Sequence, residues 1–408
     1  MNKAVFRCAH NRKQLTNGGF VMKQIIKISI IMLMAITSPA CNYLYTELFD
    51  QKNIPVILQL GLSQTAKRVY GQSGSFTANM PNNDGVSADS LFWPKGVAVD
   101  AGGVYIADYQ NNRVLYYSGT STTASRVYGQ SSFSSNAYNN NGLSADSLAA
   151  PTGVAVDANG VYIADYQNNR VLYYSGTSTT AERVYGQGGS FSTNTYNNGG
   201  VVSADSLGGP AGIAVDASGV YIADSTNNRV LYYSGTSTTA ERVYGQGGGF
   251  STNTYNNGGV VSADSLGGPA GVAVDVDGVY IADYQNNRVL YYSGTSTTAT
   301  RVYGQSGSFT ANMSNNGGVS ADSLFWPNGV AVDANGVYIA DSGNNRVLYY
   351  SGTSTTASRV YGQGGSFSTN AYNNGGVNAD SLNSPQTVAV DASRVYIVDA
   401  GNNRVLWY

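Results

Sequence analysis

Three observations predict an all-β fold: a closed wheel of six blades, each a four-stranded antiparallel sheet. First, a frame returns six times with small departures: P-x-G-V-A-V-D, then G-V-Y-I-A-D, N-N-R-V-L-Y-Y and R-V-Y-G-Q. The Asp closing its first phrase falls at Asp100, Asp157, Asp216, Asp275, Asp333 and Asp391, a period of 57 to 59 residues. A fixed period of that size marks supersecondary units that stack to share a core. Second, each unit holds four short runs rich in Val, Ile and Tyr, punctuated by Gly and Asn, with no helical period. Third, the last unit lacks its fourth run, and a lone copy of that run precedes the first unit.

The elements follow in chain order. Residues 1–21 fit neither a signal nor a fold. They read as an upstream extension, with translation starting at Met22 and Gly18-Gly19 as a purine-rich ribosome-binding site read as protein. Met22 to Lys27 supplies a basic start, Ile28 to Ile36 an apolar run too short to span a bilayer, and Ser38-Pro39-Ala40 small residues before a cut. Residues 22–40 are therefore expected to be a signal peptide. Cys41 after the cut resembles the lipidated cysteine of a bacterial lipobox, although Ser38 stands where that pattern prefers Leu. Ordinary cleavage leaving a free Cys41 is the alternative, and both readings export the protein. Residues 41–66 read as a linker. Within it, 53–61 aligns with 111–119 as a decayed third strand, with Pro55 in place of the Arg and both tyrosines gone.

The wheel is expected over 67–408. In the first unit, Gly96 to Asp100 and Val104 to Asp108 are β-branched runs joined by Ala101-Gly102-Gly103, a tight turn; its counterpart, Ala158-Asn159-Gly160, carries an Asn-Gly hairpin signal. Arg113 to Tyr117 follows after Asn111-Asn112, and Arg126 to Gln130 after the polar link 118–125. These runs are apolar on both faces, as expected when every sheet is sandwiched between neighbours. Four such strands in each of six units give a six-bladed β-propeller. Closure pairs Arg68 to Gln72 with the three C-terminal strands, Thr387 to Asp391, Val395 to Asp399 and Arg404 to Tyr408, which removes the open edges of a broken wheel.

The frame P-x-G-V-A-V-D…G-V-Y-I-A-D-x-x-N-N-R-V resembles the NHL-repeat family of propellers over roughly residues 67–408. The resemblance implies a six-bladed wheel used as a binding platform, often extracytoplasmic in bacteria, with some relatives acting as enzymes. Those enzymes typically rely on His or Glu near the axis, often with a metal. Here the sole His is His10, upstream of the expected cut, and the glutamates are Glu47, Glu182 and Glu241. Glu182 and Glu241 fall in the link before strand four, on the face opposite the long connections. Cleavage before Cys41 would leave 16 of 22 basic and all 24 acidic residues, a net charge of −8. Such a chain lacks the basic footprint that phosphate backbones require, so nucleic acid is not an expected partner.

The chain alternates between the two faces of the disc, so the turn after strand two and the link to the next blade share a face. That face carries six long connections of Ser, Asn, Gly and Thr, each with one Phe (Phe76, Phe133, Phe191, Phe250, Phe309, Phe367). Long loops on a rigid scaffold are the usual seat of recognition, and amides, hydroxyls and rings suit sugars or a polar protein surface. The plainer reading is that each Phe plugs its own blade. The repeated Asp108 and Arg113 and their copies are expected to fasten the Asn-Asn turn. Calcium is a weaker alternative, since Asp157 to Gly160 and Asn82 to Gly85 offer oxygen ligands without a Glu at calcium-loop spacing.

Positions that vary within the fixed frame point to a site. After the Pro stand Lys95, Thr152, Ala211, Ala270, Asn328 and Gln386; after the second Asp stand Tyr109, Tyr166, Ser225, Tyr284, Ser342 and Ala400. Both sets should meet near the axis on the long-loop face. The candidate ligand-binding residues are Lys95, Thr152, Asn328, Gln386, Tyr109, Tyr166 and Tyr284, with Cys41 for lipidation; drift at tolerant surface sites is the plainer reading. The sequence thus favours a monomeric, non-catalytic, exported binding platform without cofactor or metal. It would be held at the bacterial cell envelope by a lipid on Cys41 and recognise a protein or carbohydrate. A hydrolase- or lyase-type propeller enzyme and a structural surface protein remain as alternatives. Units three and four are nearly identical from Glu182 to Asp216 and from Glu241 to Asp275, which favours avidity or surface presentation.

Overall fold

Val, Ile and Tyr crowd the G-V-Y-I-A-D phrase because β-branched and aromatic side chains fill the space on both sides of a covered sheet. In the computed structural model, which describes residues 64–408, all six residues of Gly103–Asp108 are buried. Val104 and Ile106 join the core shared with the last blade, while Tyr105 and Ala107 join the core shared with the second. The hydrophobic core is therefore a set of layers between blades. The signal peptide, Cys41, the upstream extension and the decayed strand at 53–61 lie outside the described residues.

Each blade is one antiparallel four-stranded sheet, in sequence order in all but the closing blade. The first is Gly96–Val99, Gly103–Asp108, Arg113–Ser118 and Arg126–Tyr128, running from the axis outward. In all of the other five blades the inner strand begins two residues earlier, at the proline, with an irregular register before it settles, as between Pro151 and Val154. The closing blade joins Pro385–Val390, Val395–Asp399 and Arg404–Trp407 to Arg68–Tyr70, with Val69 opposite Leu406. Closure thus follows the expected pairing. Inner strands of adjacent blades approach so closely that a Cβ on Gly212 would sit 2.5 Å from Ala270 O, which explains the Gly of P-x-G.

The turn between the first two strands is shaped differently from an Asn-Gly hairpin. Neither Asn159 nor Gly160 has positive φ; instead Asp157 Oδ1 accepts the Asn159 and Gly160 amides at 2.8 and 2.9 Å. A side-chain acceptor at the first position does the work that left-handed residues do in a primed turn. The same engagement takes up Oδ1, one of the two oxygens of the Asp157 carboxylate considered as a calcium ligand.

Candidate functional site

The site is built on a fastening that repeats in every blade. Asp108 and Arg113 are fully buried, Nε to Oδ2 at 2.7 Å, and the other five pairs match at 2.7–2.8 Å. Asp108 Oδ1 accepts the Phe92 amide, and Asn111 Nδ2 donates to Oδ2. Arg113 donates through one terminal nitrogen to the carbonyls of Ser87 and Ser90, and through the other to the Phe133 carbonyl. One guanidinium therefore pins the connection entering its blade and the connection leaving it. Phe133, Phe191, Phe250, Phe309 and Phe367 pack against the layers between blades, Phe191 on the layer between the first two, a wider role than plugging one blade.

The second Asn of the pair reaches the neighbouring blade. Asn112 is left-handed (φ 52°); its Oδ1 accepts the Ala150 amide at 2.8 Å and its Nδ2 donates to Asn136 O at 3.0 Å. Asn403 and Asn287 hold Trp93 and Trp326 by their amides in the same way. The residue so held precedes the proline in each blade and is itself left-handed: Trp93, Ala150, Gly209, Gly268, Trp326 and Ser384, with φ of 49–57°.

Four of those held residues, Trp93, Gly268, Trp326 and Ser384, frame with the inner strand starts and the turns after strand two a cavity of about 640 Å³ on the axis. Lys95, Thr152, Asn328, Gln386, Tyr166 and Tyr284 all line it, together with Trp93 and Trp326. Tyr109 stands behind Lys95, whose ammonium lies 4.4 Å from the centre of the Tyr109 ring. Burial pushes the Lys95 ammonium below its ordinary pKa, and burial followed by the nearby Tyr166 hydroxyl pushes Tyr109 up. Asn328 Nδ2 donates to Gln386 Oε1 at 3.1 Å, and Gln386 Nε2 donates to Ser384 at its carbonyl and hydroxyl. Thr152 turns its hydroxyl to the Pro210 and Ala211 carbonyls, a tie between blades. No Asp, Glu or His is among the lining residues. Glu182 and Glu241 are exposed in the links before the outer strands. Among the described residues, no three His, Cys, Asp or Glu side chains gather to hold a metal ion.

The two tryptophans escaped the sequence reading. Their signal was present: the residues before the proline are F-W, A-A, G-G, G-G, F-W and N-S in successive units, a variation as large as that after it.

The family model for the NHL repeat matches residues 326–350, the inner three strands of the fifth blade. That stretch is the frame the other five units repeat. The chain is a six-bladed β-propeller that carries an NHL repeat in its fifth blade. Among solved structures, a selenomethionine-substituted virginiamycin B lyase from Staphylococcus aureus is 11% identical to the propeller, the match covering 83% of this chain and 97% of that one at a TM-score of 0.43. A structural genomics protein of unknown function from Bacteroides thetaiotaomicron is 16% identical, covering 84% and 75%, at a TM-score of 0.49. A nidogen/laminin complex is 16% identical, covering 65% and 79%, at 0.41. No curated protein matches the propeller.

Proposed function

We propose that this propeller is a non-catalytic binding platform, exported and lipid-anchored at the bacterial cell envelope through Cys41, that recognises a protein or glycan with its long-loop face. One observation carries the reading: a frame held constant through six blades encloses an axial cavity whose lining differs from blade to blade. Self-association of the fold demands the constant part, whereas a chosen ligand gives a reason for the varied part. Amides, hydroxyls and aromatic rings in the lining favour orientation and stacking over bond cleavage.

The test has two arms. The full chain is presented to an array of envelope proteins and glycans beside the triple change Lys95→Ala, Asn328→Ala and Gln386→Ala. Capture by the parent, lost in the variant at an unchanged melting temperature, is the expected result; no capture by the parent overturns the platform. Metabolic labelling with a fatty acid in a bacterial host, compared with Cys41→Ser, tests the anchor, and equal labelling of the two chains overturns it.

A further inference from the structure

The cavity is lopsided. Around their prolines, blades three and four line it with Ala211, Gly268 and Ala270, which reach no further than a methyl group, and their turns after strand two add Ser225, Tyr284 and Gln285. Blades five, six and one contribute Trp326, Asn328, Gln386, Trp93 and Lys95. The strand starts of blades three and four leave room, and those of blades five, six and one offer long polar and aromatic side chains.

The tryptophans occupy a backbone site that glycine fills without strain. Trp93 and Trp326 have φ of 50° and 52°, where Gly209 and Gly268 have 57° and 55°. A bulky residue held left-handed is rarely favoured by folding itself and persists where function requires its side chain. Both rings remain 36% and 46% exposed while lining the cavity, and Trp326 is steadied by Phe325 and by stacking on Tyr284. Flat, half-open rings on a polar floor are platforms for a second flat surface.

Charge narrows the ligand. Lys95 has no ion-pair partner among the described residues, and the lining holds no carboxylate to balance it. A single ammonium matches a single negative charge. Beside it, the Asn328–Gln386 amide pair leaves Asn328 Oδ1 without a hydrogen bond among the described residues. A ligand bearing only an apolar ring and an acid would leave that acceptor unpaired.

We infer that the axial cavity binds a carboxylated sugar unit, with an apolar ring face on Trp93 or Trp326, its carboxylate on Lys95 and a hydroxyl on Asn328. The volume lies in the range of small-ligand sites, roughly 300–1,000 Å³. This assignment rests on reading the long-loop face as a binding surface.

Calorimetric titration of the full chain with galacturonic and glucuronic acid oligosaccharides and sialyllactose, beside their neutral galactose, glucose and lactose counterparts, tests it. The acidic members should bind at least about 10-fold more tightly, a margin of about 1.4 kcal/mol. Lys95→Gln should abolish that margin, and Trp93→Gly with Trp326→Gly should abolish binding of both classes. These glycines already stand in blades three and four, so the wheel should fold, and an unchanged circular dichroism spectrum checks it. Equal affinity for acidic and neutral sugars, no binding of any carboxylated sugar, or an undiminished margin in Lys95→Gln overturns the assignment. Tighter binding of 4-hydroxybenzoate or indole-3-acetate than of every saccharide also overturns it, in favour of an aromatic acid. Array capture that survives the Lys95 and Trp changes overturns the axial assignment and leaves the platform standing, whereas a chain that captures nothing removes both.

Discussion

The Asp–Arg fastening and the axial mouth lie within the same blades, yet one is invariant and the other differs in every unit. At the fastening, two buried charges and three clamped carbonyls admit one solution, and the frame supplies it six times. At the mouth the side chains face a cavity, so Lys95, Thr152, Ala211 and Gln386 are all compatible with the same inner strand. Repetition therefore marks where geometry is exacting, and variation marks where the wheel is free to take on a task. That contrast can be broken or sharpened by substitution.

The largest effect is expected at the fastening. Asp224→Ala leaves Arg229 buried without its partner and should cost about 3–5 kcal/mol in urea unfolding, against less than about 0.5 kcal/mol for Asp205→Ala at an exposed site. A cost below about 1 kcal/mol for Asp224→Ala would break the comparison. Next comes Asn228→Ala. It places a Cβ-only side chain at φ 54° and removes the acceptor for the Gly268 amide, for a loss of about 2–3 kcal/mol. Asn228→Gly keeps the backbone at ease and should lose less.

The mouth should behave oppositely. Trp326→Gly relieves about 1 kcal/mol of left-handed strain and forfeits ring contacts of about 1 kcal/mol, so thermal stability should stay within about 1 kcal/mol of the parent. A larger loss would recast Trp326 as scaffold. Tyr233→Phe, which removes a buried hydroxyl without a protein partner, should change stability by under about 1 kcal/mol or raise it.

The smallest effect is in pH dependence at Lys95. Its folded pKa lies below the ordinary 10.5 because burial disfavours the ammonium. Between the two values the unfolded chain holds a proton that the folded chain has released, so parent stability should rise with pH there. Lys95→Met should lack that rise, being the more stable at neutral pH with a gap that narrows as alkalinity climbs; denaturant midpoints across that window measure it. Half-buried Tyr109, beneath the ammonium, has its pKa raised by burial and by the nearby Tyr166 hydroxyl.

The wheel was legible because its signals are local and sixfold. The Val-Ile-Tyr runs gave the strands, and the orphan Arg68-Val69-Tyr70 gave the closure. Asp108 and Arg113 could be read as a fastening because they stand only five positions apart. The mouth was legible only as a set of varying positions, since Asn328 and Gln386 meet from 58 residues apart. Trp93 and Trp326 escaped because their significance lies in a backbone angle, and no letter of the sequence states that Asn403 or Asn287 holds the next blade's residue left-handed. The turn at Asp157 was misjudged for a related reason: a carboxylate acceptor displaced the Asn-Gly geometry.

The closing blade departs from the others at one ring. Where five blades place Tyr116, Tyr173, Tyr232, Tyr291 or Tyr349 on the third strand, the last places Trp407, flanked by the Arg68 and Arg394 guanidinium groups at 4.2 and 4.6 Å. Arg68 reaches it only when the two ends of the propeller have met. The sequence contains three tryptophans, and the other two are Trp93 and Trp326. With those two replaced, indole fluorescence would come from the seam alone, and its shift would time the closing of the ring in a refolding experiment.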